Sequence, residues 1–281
     1  MFRSTNPVLT KDAAFAPQPR GGGYGPYSPY PQQQGFGQQQ GYAQQGYGAL
    51  PDPGPRMTIE DVITKTSVIM GLMILVAAAS WSAIVFGVVP VALMWPALVV
   101  GGLGTFVLSI VVAFRSKVGP VTAAVFSVLE GLFIGMFSLF FESMYPGIVV
   151  QAVLATLIVA AVMLAAYRFK VIRVTPMFTK VLIIATVSFA LAMLVNFVLG
   201  FAGINLGLRD SGGDVSLLAI GVSIIGVVLA ALNLVLDFDV IDRGVRSGAP
   251  ARQSWLAAFG LVVTMVWLYT ELLRILSYFR R

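Results

Sequence analysis

From Met57 onward the chain alternates long apolar runs with short polar breaks, and apolar runs of that length read as membrane helices. The runs predict seven membrane-crossing helices at 66–88, 92–114, 119–141, 148–167, 178–201, 215–238 and 255–278. Each approaches or exceeds the ~20 residues needed to cross a hydrocarbon core. Thr58-Ile59-Glu60-Asp61 offers a capping hydroxyl and two acids where a helix N-terminus favours them. Pro90, Pro120, Pro146, Pro176 and Pro250 mark loops or first turns. Trp95 with Pro96, and Tyr145, sit where aromatic side chains meet the membrane interface.

Residues 1–56 follow no such pattern. Gly, Tyr, Gln and Pro dominate, with repeats such as Gln45-Gly46-Tyr47-Gly48, and too little apolar area to offset ordering entropy. The expected organisation is a disordered, low-complexity cytoplasmic tail over 1–56 and a seven-helix transmembrane domain over 57–281. No apolar run follows Met1 closely, so no cleaved signal peptide is expected.

Composition narrows the class further. With 58% hydrophobic and 11% charged residues, the chain is an all-α, multi-pass membrane protein. It has no Cys and no His, which removes disulfides, thiol chemistry, His-based zinc sites and His acid/base catalysis. The net charge of +6 does not point to nucleic acid, because the basic residues flank the spans. One set of alternate loops holds Arg115, Lys117, Arg168, Lys170, Arg173, Lys180, Arg243, Arg246 and Arg252; the other holds Arg209, beside Asp210 and Asp214. That asymmetry predicts a cytoplasmic N-terminus and, after seven spans, a C-terminus outside.

Ionisable groups within apolar spans are functional candidates because hydrocarbon disfavours them. On the sixth span Ser216, Ala219, Ser223, Gly226, Ala230, Asn233 and Asp237 recur at steps of three and four, a small polar stripe suited to helix packing. Asp237 then faces the bundle, and Asp239 lies about 200° round, towards the headgroups with Asp242, Arg243 and Arg246. Placed at the expected helix C-terminus among free carbonyls, Asp237 and Asp239 could attract a hard cation such as calcium. The competing reading is an interfacial cluster neutralised by Arg243 and Arg246. Glu130 lies mid-span in Leu129-Glu130-Gly131-Leu132-Phe133-Ile134-Gly135, where Gly131 and Gly135 form a close-packing pair. It is either functional or a protonated acid bonded to a carbonyl on a neighbouring helix. Glu271 and Arg274 can pair along the seventh span, and Asn196 and Asn233 can bond between helices. No Lys follows Lys180, so a retinal Schiff base is excluded, and no His-Glu-x-x-His or Gly-x-Ser-x-Gly element is present. An enzyme is not expected.

The seven-span plan, Leu129 to Gly135, the acidic end of span six and the closing Leu273-Arg274-Ile275-Leu276 resemble the YccA/Bax inhibitor family over about residues 57–281, in its actinobacterial-type branch with a Gly/Gln/Tyr-rich tail. The resemblance implies six helices around a central seventh. It also implies, from members studied as calcium leaks, a proton-sensitive latch of two aspartates near the cytoplasmic mouth. Asp237 in Asp237-Phe238-Asp239-Val240-Ile241 matches the first. Aligning on Leu273-Arg274-Ile275-Leu276 puts Thr264 at the second, whereas a Leu-Tyr-x-acid match selects Glu271; Glu130 is a further candidate for a rebuilt sensor. Depth favours Thr264, about ten residues or ~15 Å into its span, over Glu271 at ~25 Å.

The functional expectation is a pH-modulated calcium or cation leak in a bacterial plasma membrane, with calcium as permeant ion and no cofactor. The alternatives are a non-conducting regulator of a membrane protease or stress complex, and a proton-coupled small-solute transporter. Expected partners are the lipid bilayer and other membrane proteins, not nucleic acid.

Overall fold

The computed structural model describes residues 54–204, 206–209 and 216–280. Nearly all of the expected tail, together with Asp210 and Asp214, lies outside them. Among the described residues seven helices run α1 Ile59–Val85, α2 Met94–Arg115, α3 Pro120–Met144, α4 Ile148–Arg168, α5 Pro176–Phe201, α6 Leu217–Arg246 and α7 Gln253–Tyr278. All seven are long and apolar enough to cross a membrane.

Local chemistry sets their ends. Thr58, Thr175 and Ser216 each accept the backbone N–H three residues on, from Asp61 (3.1 Å), Phe178 (3.1 Å) and Ala219 (3.0 Å). Pro120 and Pro176 occupy the first positions of α3 and α5, where a missing N–H costs nothing. Two helices outrun the apolar pattern. The Thr58 cap starts α1 at Ile59 rather than 66. Helix α6 continues past 238 to Arg246, where Ile241 and Val245 pack against Met57 and Val62, and Asp239–Arg243 and Asp242–Arg246 form ion pairs four residues apart on its surface.

Helix α7 is the central element, packed against α1, α3, α4 and α6, while α2 lies on α3 and α5 on α6. Helices α1 and α3 cross closely. A Cβ on Gly131 would stand 2.6 Å from the Met73 carbonyl oxygen, and one on Gly135 would stand 2.7 Å from that of Ala77. Only a residue without a side chain lets the two backbones approach so closely. The core around α7 is apolar, with Phe126 tilted against Phe259 at 4.5 Å between ring centroids.

Ahead of α1 the chain forms a strap. Met57 N–H donates to the Ala249 carbonyl (2.7 Å) and Ala251 N–H to the Pro55 carbonyl (2.9 Å), an antiparallel bridge onto the α6–α7 loop. Lys65 reinforces it by donating to Asp61 (2.8 Å) and to the Ala251 carbonyl (3.1 Å), and Ser254 donates to Asp61 at 2.9 Å.

Candidate functional site

The polar stripe of α6 packs inwards: Ala219, Ser223, Gly226 and Ala230 are buried. Asp237, further along it, is half-buried and directed at α7, where its Oδ1 would lie 3.9 Å from a Cβ on Gly260. Its Oδ2 is buried without a hydrogen-bond partner. The hydroxyl facing it is that of Thr264, which donates to the Gly260 carbonyl at 3.2 Å. Beside Asp237 is a cavity of about 150 Å³, lined also by Met57, Val240, Gly244, Gln253 and Leu256. Met57 closes over it from the strap and is almost wholly buried.

Asp239 turns the other way. It pairs with Arg243 and accepts from the Tyr167 hydroxyl of α4 (3.3 Å), which also reaches Asp242 at 3.1 Å. Asp242 takes a two-pronged contact from Arg246, at 3.1 and 2.8 Å. The expected cation site of Asp237 and Asp239 at a helix terminus is therefore not formed. The helix runs nine residues beyond Asp237, so the carbonyls around it are spent within α6, and the two carboxylates face different neighbours.

Towards the opposite end of α7, Glu271 corrects a second expectation. Its partner is Arg209, from the α5–α6 connection, and not Arg274. The Arg209 guanidinium donates to Glu271 Oε1 at 2.6 Å and Oε2 at 3.1 Å, and Glu271 is 2% exposed. Arg209 lies over the Phe189 ring, 5.7 Å from its centroid, and its Nε donates to Met193 Sδ at 2.9 Å. Arg274 lies instead over the Phe137 ring, 6.0 Å from its centroid, with its Nε buried and without a hydrogen-bond partner. The two-pronged fit of guanidinium to carboxylate prevails over the spacing of three along one helix. Gly226 makes the room: a Cβ there would stand 2.8 Å from Glu271 Cδ.

The remaining candidates fall between these ends. Glu130 is 7% exposed, and the polar group facing it is the Thr105 hydroxyl of α2, which donates to its own Gly101 carbonyl at 2.8 Å. Its neighbour is thus a hydroxyl on α2, and the structure does not bring Glu130 to Asp237. Asn233 donates to Thr186 Oγ1 and to the Leu229 carbonyl, both at 2.8 Å, so its interhelical partner is Thr186 and not Asn196. Asn196 lies ten residues further along α5 than Thr186, about 15 Å away along the helix, and so does not reach Asn233. Between Asp237 and Glu271 the α6–α7 contact is a dry layer of Ala230, Leu234 and Leu268.

Sequence reasoning missed Tyr167 and the role of Arg209. The signals were an aromatic residue beside Arg168 at the end of a span, and a lone basic residue in its loop. Compared with known families, residues 6–281 match the sequence profile described as Bax inhibitor 1 like. No curated protein matches the chain.

Proposed function

Since the chain belongs to the Bax inhibitor 1 like family and is a multi-pass membrane protein of seven helices, we propose that it provides a regulated leak for cations, calcium foremost. The observation that carries this reading is Asp237: a carboxylate with one buried, unpartnered oxygen, facing α7 beside a cavity. A buried acceptor without a donor is costly and invites either a cation or a proton. Protonation of Asp237 is the proposed control, with Thr264 as the group across from it. Asp239 belongs to the neutralised set with Tyr167 and Arg243 and holds the end of α6 in place. Glu130 and Glu271 line no part of this mouth.

In the structure as it stands, Ala230, Leu234 and Leu268 seal the α6–α7 contact, so conduction requires these helices to part. That dry layer favours a second reading, a non-conducting membrane regulator that acts by contact with another membrane protein. Neither reading assigns the chain a reaction. The proposed setting is a bacterial plasma membrane with the N-terminus inside, supported by the nine basic residues on one set of loops. Calcium entry into liposomes holding the purified full chain, read with an internal dye, tests the proposal. Entry above that of empty liposomes supports the leak, and entry equal to it removes the leak and leaves the regulator.

A further inference from the structure

A second cavity, of about 280 Å³, lies apart from the Asp237 mouth, enclosed by α1, α3, α4 and α7. Its floor comprises Met73, Ser138, Thr156, Val266 and Tyr269, all buried. Its rim comprises Ile74 and Ala78 of α1 and Val153 and Leu157 of α4, all exposed on the flank of the bundle. Helices α1 and α4 both pack on α3 and α7 without a substantial contact of their own, which leaves the opening between them. Both cross the membrane, so the exposed rim continues the surface that faces lipid.

The polar groups in the floor decide what the cavity accepts. Ser138 Oγ and Tyr269 Oη bond to each other at 2.7 Å, and Thr156 Oγ1 donates to the Ala152 carbonyl of its own helix at 2.7 Å. These hydroxyls are turned to each other or to their own helix, and the rest of the lining is apolar, so the cavity suits an apolar occupant. We propose that the cleft between α1 and α4 is a binding site for one hydrocarbon chain of a bilayer lipid, which enters sideways past Ala78 and Val153 and ends against the Ser138–Tyr269 pair. The cleft meets two consecutive residues of α7, Met265 and Val266, directly after Thr264, so its occupant touches the central helix next to the residue that faces Asp237.

The test uses the full chain in lipid nanodiscs containing a phospholipid with a diazirine in its acyl chain. Photolysis followed by peptide mass spectrometry should place adducts on Met73 and Tyr269 as well as on lipid-facing Leu75 and Val150. Ala78→Trp, at the rim, should reduce the floor adducts several-fold and leave those on Leu75 and Val150 unchanged. Val153→Trp blocks the same opening from α4 and serves if the first variant does not fold. Adducts confined to Leu75, Val150 and similar outward positions would overturn the proposal, as would floor adducts that persist in both Trp variants. Floor labelling by a headgroup diazirine in place of the acyl one would also overturn it. None of these outcomes depends on ion flux.

Discussion

Arg209 and Glu271 are 62 residues apart in sequence and meet through two hydrogen bonds, so a residue from the α5–α6 connection holds the one acid buried deep on the central helix. Removing the cation alone leaves that carboxylate buried without its two-pronged hydrogen-bonded partner. Arg209→Ala should therefore destabilise the protein by about 3–5 kcal/mol. Thermal unfolding in detergent measures this. The double variant Arg209→Met with Glu271→Leu should recover part of the loss, because it removes the paired charges and keeps the volume filled, while Arg274 loses the acid nearby.

Gly226 is the space Glu271 occupies. Gly226→Ala brings a methyl group to 2.8 Å from Glu271 Cδ and 3.0 Å from Phe189 Cζ, and one of the two must move. A cost of about 1–3 kcal/mol is expected. Gly221, on the same helix with open space at its Cβ position, is the control, and Gly221→Ala should not destabilise. Equal losses in the two variants would show that helix α6 is sensitive to any methyl group.

For the proposed leak, Asp237→Asn keeps the shape of the side chain and removes the titrating group. The acid-dependent part of calcium entry into liposomes should disappear in this variant. Asp239→Asn removes a partner of Arg243 and Tyr167 and should change the flux much less. Thr264→Asp places a second acid across from Asp237, and like charges so close should steepen the pH dependence. Wild-type behaviour in Asp237→Asn together with a lost response in Asp239→Asn would reverse these roles.

The strap separates two truncations that differ by three residues. Deleting residues 1–54 leaves both backbone bonds to the α6–α7 loop in place, and the melting temperature should hold. Deleting through Met57 removes them and uncovers the cavity beside Asp237. That truncation should melt at a lower temperature, by several degrees, in the same detergent. Equal melting points for the two would deny the strap any structural weight.

Orientation can be read with reporter fusions. Tags after Asp52 and within the 243–252 loop should report cytoplasmic, and a tag after Arg281 should report outside. A cytoplasmic C-terminal tag would contradict an odd number of spans.

How much of this was legible in the sequence follows from the range of each interaction. The seven helices were, because each is a run of some twenty apolar residues bounded by Pro, Gly or a capping hydroxyl. The inward face of α6 was legible too, since its small residues recur at helical spacing. The true end of α6 was not, because charged residues interrupt the apolar run over its last two turns, where Ile241 and Val245 still pack against Met57 and Val62. The partners of Glu271 and Asn233 come from other elements, and the sequence spacing offered nearer, mistaken choices in Arg274 and Asn196. Tyr167 could not be tied to Asp239 and Asp242 without the packing of α4 on α6.

Helix α5 is fastened to the rest of the bundle mainly along α6, through the Thr186–Asn233 bond, with one ring contact of Phe189 reaching Trp267 of α7. Leu182 is among the few side chains it buries, while Val181, Ile184, Leu191 and Val198 point outward. An element held by so few contacts opens at a low free-energy cost. Its amides should exchange with deuterium first when the protein is moved from bilayer to detergent, ahead of those in α3 and α7. Lipid is then a structural member of this protein: the surrounding bilayer does for α5 what neighbouring helices do for α7.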